Sequence, residues 1–460
     1  MNLWNSIKDA MLIHPNQCVC EDNAAMSYEE LVVYAELLAK KLKGEKCCAI
    51  LCGSEMATAM SLLGCFAAGV TAVPLSSRYG QVHCARILDM IDPTAIITDI
   101  GGDLKIMRIN NSSYQEPEKH PAVIMCTSGT TGKPKGAMLS EDNILTNLKD
   151  ILVYFDIDQE DSILISRPLY HCAVLTGEFL VSLYRGLKVH FYSGKFSPKE
   201  ILDLIYKNRI TVFGGTPTML NVMAKYNRST KICPLEKICI SGECLNIKAA
   251  TQIAAAFATT ADIYHVYGLT EASPRVCWLP THLFIKYPNT VGYPLRSVQI
   301  KILNELGESV KDGEEGVLWI KGGNVMLGYY NDSEQTNKVL KDGWLCTGDI
   351  AMKDQYGLLH IKGRNDDLII RAGMNIYPQE VEETLKSDER VHDVLVYKYI
   401  SPYSGVQIGM KICGDFKEVS EVKNMCSKLL PSFQIPSRIE LVSELTISGT
   451  GKIIRSVEND

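Results

Sequence analysis

The sequence predicts an α/β protein with a large N-terminal domain of parallel-sheet α/β layers, a β-rich subdomain and a small α+β C-terminal domain. Between residues 46 and 268, short apolar runs alternate with helix-like stretches, which is the pattern of a parallel sheet covered by helices. After residue 288, strand-like runs are separated by Gly and Asp turns, as in a β-rich subdomain. From residue 378 a compact tail mixes helices and strands, and the expected domains are 1–364 and 365–460.

Each element is predicted from the apolar pattern of its own residues. In the first region, strands are expected at residues 48–51, 95–98, 123–126, 163–165, 211–213, 238–240 and 263–266. Helices there are expected at residues 56–68, 142–154, 174–184, 198–207, 217–225 and 248–256. Ser27-Tyr-Glu-Glu30 has the spacing of a capping box. Farther along, strands are expected at 298–303, 316–320, 358–361, 368–370, 394–399, 406–412 and 439–442, with helices at 379–386 and 419–429.

Composition excludes several classes of protein. The chain of 460 residues is 46% hydrophobic and 22% charged, as in ordinary soluble globular proteins. Its net charge of -6 provides no overall basic surface for nucleic acid or an anionic membrane. The N-terminal residues lack a signal-peptide pattern and no apolar stretch could span a bilayer, so a cytoplasmic location without membrane insertion is expected. The sixteen cysteines include no Cys-x-x-Cys pair, which indicates reduced core thiols.

A loop rich in small and hydroxylated residues follows the predicted strand at 123–126. Backbone N–H groups, hydroxyls and ammonium groups of such a loop can surround a polyphosphate. The candidate phosphate ligands are Thr127, Ser128, Gly129, Thr130, Thr131, Gly132, Lys133 and Lys135. Pro134 stands where a Walker loop needs Ser or Thr and the start of a helix, so a P-loop NTPase is disfavoured. The alternative is a mobile, solvated loop without a ligand.

Residues 127–136 closely resemble the signature loop of the adenylate-forming (AMP-binding) superfamily, which includes acyl- and aryl-CoA synthetases, peptide-synthetase adenylation domains and firefly luciferase. The resemblance covers essentially the whole chain, because further motifs follow in the same order: Tyr267-Gly-Leu-Thr-Glu271, Thr347-Gly-Asp349, Gly363-Arg-Asn-Asp-Asp367 and Gly449-Thr-Gly-Lys-Ile453. The last motif departs from the usual Ser-Gly-Lys, since Thr450 stands at the serine position. The resemblance implies an enzyme that joins a carboxylic acid to AMP and passes the acyl group to a thiol.

The resemblance also implies the residues that bind the nucleotide. Tyr267 would pack against adenine, Thr270 would contact phosphate and Glu271 would hold Mg²⁺, a hard cation that prefers carboxylate oxygens. Further contacts would come from Gly242 and Glu243 in the adenine pocket, Asp349 at the ribose hydroxyls and Arg364 at ribose or phosphate. Taken alone, each would be an ordinary turn or linker residue.

Two conformations are implied by the same resemblance. Asp366 would be the pivot of an interdomain hinge about which the small, mobile C-terminal domain rotates. Lys452 would approach the α-phosphate and the substrate carboxylate in the first half-reaction and would be withdrawn in the second. Gly373 matches the glycine that lets the pantetheine arm pass close to the backbone, a role suited to a residue without Cβ.

The nature of the acid is suggested by Pro168-Leu-Tyr-His171, which resembles the Pro-x-Phe-His stretch of acyl- and aryl-CoA synthetases. Amino-acid-activating relatives usually place Asp here, and its absence disfavours an α-amino acid, because an unpaired ammonium in a buried pocket is costly. His171 is a candidate catalytic residue, with a structural core histidine as the alternative. The expected acid pocket is lined by Tyr170, His171, Val174, Gly214, Gly215, His265 and Leu269. An aromatic or medium-sized organic acid is favoured.

Four functions share these motifs. The favoured one is an acid–CoA ligase that uses ATP, Mg²⁺ and CoA. The second is a stand-alone adenylation enzyme that loads the acid onto the phosphopantetheine arm of a separate holo carrier protein. The third is a luciferase-like monooxygenase, and the fourth is a nucleotide-binding regulator without catalysis, against which the intact Lys452, Glu271 and Asp349 argue. A monomer or homodimer without a nucleic-acid partner is expected.

Overall fold

The computed structural model describes residues 2–75, 81–100, 102–128, 134–227, 232–365, 367–371, 374–401, 405–445 and 458–459. The chain divides into two compact units, one formed by residues 1–300 and 320–345 and the other by residues 301–319 and 346–460. The boundary expected at residues 364–365 is the hinge about which one domain would rotate. Compact units do not test such a hinge, so this boundary stays a prediction.

A nine-stranded sheet occupies the described part of the first unit. Its order is Tyr293–Pro294, Arg275–Leu279, Asp262–Gly268, Lys237–Ile240, Val212–Gly215, Ser162–Ile165, Lys188–Phe191, Cys18–Glu21 and Ala24–Ser27. The six strands from Asp262–Gly268 to Cys18–Glu21 are parallel, and the others pair antiparallel with their neighbours. Ser162–Ile165 is buried along its whole length, because both faces of a parallel sheet are covered. The four strands predicted between residues 163 and 266 are confirmed at the centre of this sheet.

A seven-stranded sheet belongs to the same unit. Its order is Gly328–Tyr329, Pro134–Leu139, Val123–Ser128, Thr71–Pro74, Cys47–Leu51, Ala95–Ile100 and Asp103–Arg108. The predicted strands at 48–51, 95–98 and 123–126 are confirmed within it. The loop expected over 127–136 is shorter in the structure, because Thr127 and Ser128 end one strand and Pro134 begins the next.

Helices cover these sheets, and their starts follow local capping chemistry. Ser27 forms the predicted capping box with Glu30, and Ser54, Ser140, Ser197 and other short polar residues cap further helices. The helices are Leu3–Ile13, Tyr28–Lys41, Glu55–Ala68, Gln81–Ile91, Glu141–Tyr154, Cys172–Val174, Val181–Arg185, Pro198–Asn208, Pro217–Tyr226, Ile247–Phe257 and Ser333–Val339. In the described ranges, no helix is long and apolar enough to cross a membrane.

The single helix predicted at 174–184 is interrupted in the structure. A π-helical segment, Leu175–Leu180, separates two short α-helices. π-Helical turns are rare, and they often occur at functional sites. This segment contains Gly177, which weakens a regular helix, and the buried Glu178.

The β-rich region after residue 288 forms a further sheet. Its order is Gln299–Leu303, Glu315–Lys321, Trp344–Lys353 and Leu340–Lys341, with Leu359–Arg364 also paired to Trp344–Lys353. The predicted strands at 298–303, 316–320 and 358–361 are confirmed with small shifts of their ends.

The C-terminal residues form a small α+β core in the second unit. The strands are Ile369–Arg371 paired with Met374–Ile376, and a sheet in the order Arg438–Leu441, Gly405–Gly414, Val391–Ser401 and Glu458–Asn459. Helices Pro378–Leu385 and Val419–Leu429 pack on it through Val381, Leu385 and Val422. The predicted elements of this tail are confirmed.

Candidate active site

The phosphate-loop motif lies in a hairpin of the seven-stranded sheet. Strands Val123–Ser128 and Pro134–Leu139 are antiparallel, with Thr127 opposite Lys135. The chain continues from Pro134 as a strand, whereas a Walker loop continues as a helix. The predicted ligands Gly129, Thr130, Thr131, Gly132 and Lys133 lie outside the described residues, so their phosphate contacts stay predictions.

Tyr329 contacts two of the predicted site residues. Its hydroxyl donates to Glu271 Oε1 at 2.8 Å, and its ring centroid lies 5.4 Å from Lys135 Nζ, within cation–π range. Lys135 Nζ also donates to Gln335 Oε1 at 3.4 Å. The structure therefore brings the lysine of the loop and the carboxylate of the Tyr-Gly-Leu-Thr-Glu motif to one tyrosine.

Sequence reasoning missed Tyr329, which is held by the segment 326–330. Three backbone hydrogen bonds attach this segment to Glu271 and to the hairpin: Met326 N to Glu271 O at 2.9 Å, Leu327 N to Met138 O at 2.9 Å and Tyr330 N to Gly136 O at 2.8 Å. The apolar and aromatic run Val325-Met-Leu-Gly-Tyr-Tyr330 was a local strand signal. No local signal indicated that its partner is a hairpin almost two hundred residues earlier.

Gly268, in the second motif, is fixed by a close backbone approach. It ends strand Asp262–Gly268, just before the 3-10 turn Thr270–Ala272, and faces Arg275 where the strand pairing is irregular. A Cβ at this position would overlap the carbonyl oxygen of Pro274. The sequence motif therefore requires glycine here for space, because the neighbouring atom belongs to the backbone.

We expect Gly268→Ala to lower the free energy of unfolding of the first unit by about 3 kcal/mol, since a backbone atom cannot rotate out of the way. Urea unfolding followed by circular dichroism measures the change. Gly53→Ala is the matched control, because its Cβ would lie 3.5 Å from the nearest atom, Asp99 Oδ1. Equal midpoints for the two variants would contradict the steric explanation.

The segment predicted to line the adenine pocket follows strand Lys237–Ile240. Gly242 has a φ of 95°, a left-handed conformation that favours glycine. Glu243 Oε2 accepts hydrogen bonds from Thr218 N at 3.2 Å and from Thr218 Oγ1 at 2.7 Å, in the first turn of helix Pro217–Tyr226. Glu243 thus stabilises a helix N-terminus, and its contact with adenine stays a prediction.

In the second unit, the structure pairs the two residues predicted at the ribose. Asp349 and Arg364 are opposite each other on antiparallel strands, and Arg364 Nη1 lies 3.3 Å from Asp349 Oδ1. Arg364 Nη1 also donates to Thr347 O at 3.1 Å, and Asp349 N donates to Thr347 Oγ1 at 3.0 Å. The Asp349 side chain is only 10% exposed, so its orientation is fixed by these contacts.

All seven predicted acid-pocket residues are half-buried or buried in the first unit. Tyr170 and His171 have ring centroids 4.3 Å apart, with their planes inclined at 43°. Tyr170, His171 and Leu269 are half-buried, while Val174, Gly214, Gly215 and His265 are buried. The catalytic role of His171 stays a prediction. Tyr267 and Thr270 are partly exposed, and their contacts with adenine and phosphate also stay predictions.

A buried ion pair lies beside Gly214. Arg167 Nη2 donates to Glu178 Oε1, and the two side chains are 11% and 1% exposed. Nη1 and Nη2 of Arg167 each lie 3.3 Å from Ser241 Oγ. A Cβ on Gly214 would overlap the Glu178 carboxylate, so the glycine makes room for this pair. Sequence reasoning missed the pair, although a lone Glu in the apolar run 174–183 was a signal for it.

His265 is placed in the core of the nine-stranded sheet. It is 4% exposed, and its Nδ1 lies 2.9 Å from the carbonyl oxygen of Thr290. Burial lowers the pKa of His265 to about 4. The ring is therefore neutral at pH 7 and donates from Nδ1 to the carbonyl.

This lowered pKa predicts a loss of stability in acid. Between pH 6.5 and 4 the unfolded chain binds a proton at His265 that the folded chain does not, so stability falls as pH falls. The expected contribution is on the order of 3 kcal/mol, present above pH 6.5 and lost towards pH 4. Urea unfolding at a series of pH values should show a shallower pH slope for His265→Asn, which keeps a donor. The exposed His282→Asn serves as the control, and an unchanged slope in His265→Asn would refute the assignment.

Three further predicted residues, Lys452, Gly373 and Asp366, lie outside the described residues. Their roles at the α-phosphate, at the pantetheine arm and at the hinge stay predictions.

Comparison with known sequences identifies relatives of this chain. A sequence model of the family described as AMP-binding enzyme matches residues 9–330, well over half of the chain. A long-chain-fatty-acid–CoA ligase from Haemophilus influenzae is 32% identical over 358 residues, which are 75% of this chain and 63% of the relative. The chain thus spans less than two thirds of that relative's length. A feruloyl-CoA synthase from an Amycolatopsis species is 29% identical over 419 residues, covering 86% of this chain and 84% of the relative.

Solved structures show the same fold. The o-succinylbenzoate CoA synthetase of Bacillus subtilis, in complex with its acyl-adenylate intermediate, matches with a TM-score of 0.86 and 25% identity, covering 98% of this chain and 97% of that chain. ATP-bound MatB from Rhodopseudomonas palustris matches with a TM-score of 0.85 and 24% identity over 98% of this chain and 97% of that chain, which shows the fold alone. These matches confirm the predicted fold class. The chain belongs to the AMP-binding enzymes, the adenylate-forming superfamily of acyl- and aryl-CoA synthetases.

Proposed function

We propose that this chain is an ATP-dependent ligase that adenylates a carboxylic acid and transfers the acyl group to the thiol of CoA. The observation that carries the proposal is the contact of Tyr329 with both Lys135 and Glu271. A triphosphate needs cationic donors for its oxygens and a carboxylate for the metal ion that accompanies it. One tyrosine positions one group of each kind.

The residues present fit a Mg²⁺ ion shared with the nucleotide. In nucleotide sites Mg²⁺ is bound by one or two carboxylates, substrate phosphates and waters, so a complete cage of protein ligands is not needed. Glu271 would be this carboxylate, and bound Mg²⁺ would neutralise charge on the phosphates. Among the described residues, no group of three or more His, Cys, Asp and Glu could hold a metal by itself. A single half-buried carboxylate, oriented by a tyrosine hydroxyl, suits the shared mode.

The first half-reaction needs fixed positive charge more than it needs a base. The acid is already ionised, and its oxygen attacks the α-phosphorus while pyrophosphate leaves. Charge grows on the phosphoryl oxygens, where preorganised donors stabilise it. Lys135, Lys452 and the backbone N–H groups of the loop would supply these donors, with Thr127, Ser128 and Thr270 as hydroxyl contacts.

The remaining nucleotide contacts follow from the paired residues. The carboxylate of Asp349 would accept both ribose hydroxyls, and its pairing with Arg364 keeps it oriented. Tyr267 would pack on adenine, and Gly242 would let the base approach the backbone.

The acid and the acceptor are proposed from the pocket residues and supported by the relatives. The half-buried Tyr170 and His171 suit an aromatic or medium-sized organic acid. Two of the similar proteins are named for aromatic acids and one for long-chain fatty acids, and all three are named as CoA ligases or synthases. These names support CoA as the acceptor. Rotation about Asp366 would withdraw Lys452 and bring Gly373 to the pantetheine arm.

Acid-dependent ATP–pyrophosphate exchange tests the first half of the proposal. The full chain is assayed with Mg²⁺ and a panel of aliphatic, aromatic and amino acids, and exchange is expected with at least one aromatic or medium-sized acid. The active acid is then offered CoA and a holo carrier protein in parallel, and the thioester is quantified. Exchange with none of the acids would overturn the proposal, while transfer to the carrier protein alone would replace CoA as the acceptor.

A further inference from the structure

Three charged side chains, the buried Glu178 and Arg275 and the largely buried Arg167, lie together in the first unit. Glu178 is 1% exposed and Arg275 is 2% exposed. The Arg275 guanidinium lies against the residue next to Glu178, since a Cβ on Gly177 would be 2.8 Å from Arg275 Nη2. Arg275 Nη2 also lies 3.6 Å from Cys239 Sγ, and Arg275 interacts electrostatically with Glu178. We call these three residues the buried charge cluster.

The cluster lies at the ligand-binding edge of the nine-stranded sheet. Strands Ser162–Ile165, Val212–Gly215 and Lys237–Ile240 are neighbours and run parallel. Ligands of parallel α/β sheets bind at the carboxyl ends of the strands. Arg167 follows the first of these ends, and a Cβ on Gly242, beyond the third, would be 3.9 Å from Arg167 Nη1. Gly214, on the middle strand, packs against Glu178. The cluster therefore borders residues predicted to line the acid pocket and the adenine pocket.

The cluster has more positive than negative charge. It contains two guanidinium groups and one carboxyl group, that of Glu178. The described residues give Arg275 no carboxylate within ion-pair distance, and Nε of each arginine has no hydrogen-bond partner among them. A buried charge without compensation is costly, so an arrangement of this kind favours an anionic ligand.

We propose that Arg167 selects acids that carry a second carboxylate, so that the substrate of this ligase is a dicarboxylic acid. The inference rests on the proposed function. The second carboxylate pairs with the Nη1 hydrogen of Arg167 that Ser241 does not use, because Nε is buried. Glu178 is a positioning residue that fixes the guanidinium plane, and Arg275 supplies the excess positive charge behind it. That excess disfavours an ammonium group, even though Glu178 Oε2 also has no partner in the described residues.

The test is ATP–pyrophosphate exchange by the full chain with diacids and their monomethyl esters. The pairs are glutarate, adipate, phthalate and terephthalate, each against its own monoester, with hexanoate and benzoate as plain monoacids. For the best diacid, kcat/KM is expected to exceed that of its ester by on the order of 10²-fold. In Arg167→Met the ratio of kcat/KM for the diacid to kcat/KM for its monoester should fall by a similar factor, and the KM for ATP should stay the same.

Two variants control this result. Arg185→Met removes an exposed arginine of the same unit and should keep the diacid preference. Arg167→Lys keeps the charge without the planar fork, so the ratio of kcat/KM for the diacid to kcat/KM for its monoester should fall about tenfold. This variant also provides the measurement if Arg167→Met does not fold.

The outcomes separate the inference from the proposed function. Wild-type exchange that is equal or faster with the esters or monoacids would overturn the second-carboxylate inference and leave the ligase intact. Equal loss of monoacid and diacid exchange in both Arg167 variants would also overturn it, because Arg167 would then serve the reacting carboxylate or the fold. Absence of exchange with every acid would overturn the ligase proposal and the inference with it.

Discussion

Glu271→Gln is expected to lower the rate of acid-dependent ATP–pyrophosphate exchange by about 10³-fold. Gln has the size of Glu, and its oxygen can still accept the hydrogen bond from Tyr329, but it lacks the negative charge that favours Mg²⁺ binding. Exchange is measured over a range of Mg²⁺ concentrations. The variant should need a much higher concentration to reach half of its own maximal rate, and its unfolding midpoint should stay close to that of the wild type.

Tyr329→Phe is the matched control for this variant. It removes the hydroxyl that orients Glu271 and keeps the aromatic ring beside Lys135. The expected loss is about tenfold, which corresponds to one hydrogen bond. If Tyr329→Phe lost more activity than Glu271→Gln, with an unchanged Mg²⁺ requirement in the latter, Glu271 would not be the metal ligand.

Lys452→Ala is expected to slow adenylation by at least about 10²-fold while thioester formation from preformed acyl-adenylate changes little. The ammonium group would neutralise charge that grows on the α-phosphate, and that charge does not grow in the same way when a thiol attacks the adenylate. The two half-reactions are measured separately. Pyrophosphate exchange reports the first, and the second is followed by the appearance of acyl-CoA from chemically prepared adenylate.

The control for Lys452→Ala is Lys423→Ala, which removes an exposed lysine of helix Val419–Leu429. Both half-reactions should be unaffected in this variant. An equal loss of both half-reactions in Lys452→Ala would contradict the withdrawal of the lysine between the two steps. It would instead indicate a residue needed for binding throughout the reaction.

Most of the fold could be predicted because its signals are local. Helix Glu55–Ala68 and strand Lys237–Ile240 were predicted to within one residue at each end, since each is a largely apolar run bounded by polar or turn residues. The capping box at Ser27 is a contact between neighbours in sequence, so it can be recognised without the fold. The interruption of helix 174–184 could not be predicted in this way, because Glu178 contacts Arg167 and Gly214, which lie outside the helix.

The candidate site was predictable where it coincides with motifs. The pairing of Asp349 with Arg364 joins two residues that the motifs had already indicated. Tyr329, Arg167 and Arg275 belong to none of these motifs, and each contacts its partners only in the folded chain. A charged residue in an apolar run signals that some partner exists, but the sequence does not contain its identity.

The strand Gly328–Tyr329 also protects an edge of the sheet. Pro134–Leu139 would otherwise be the last strand of the seven-stranded sheet, with N–H and C=O groups of the hairpin open to pairing with another chain. A fragment that ended before residue 328 would lose this cover together with the hydroxyl that orients Glu271. Shortening the first unit from its C-terminal end would thus expose a sheet edge that promotes aggregation. The same truncation would remove the tyrosine that orients Glu271.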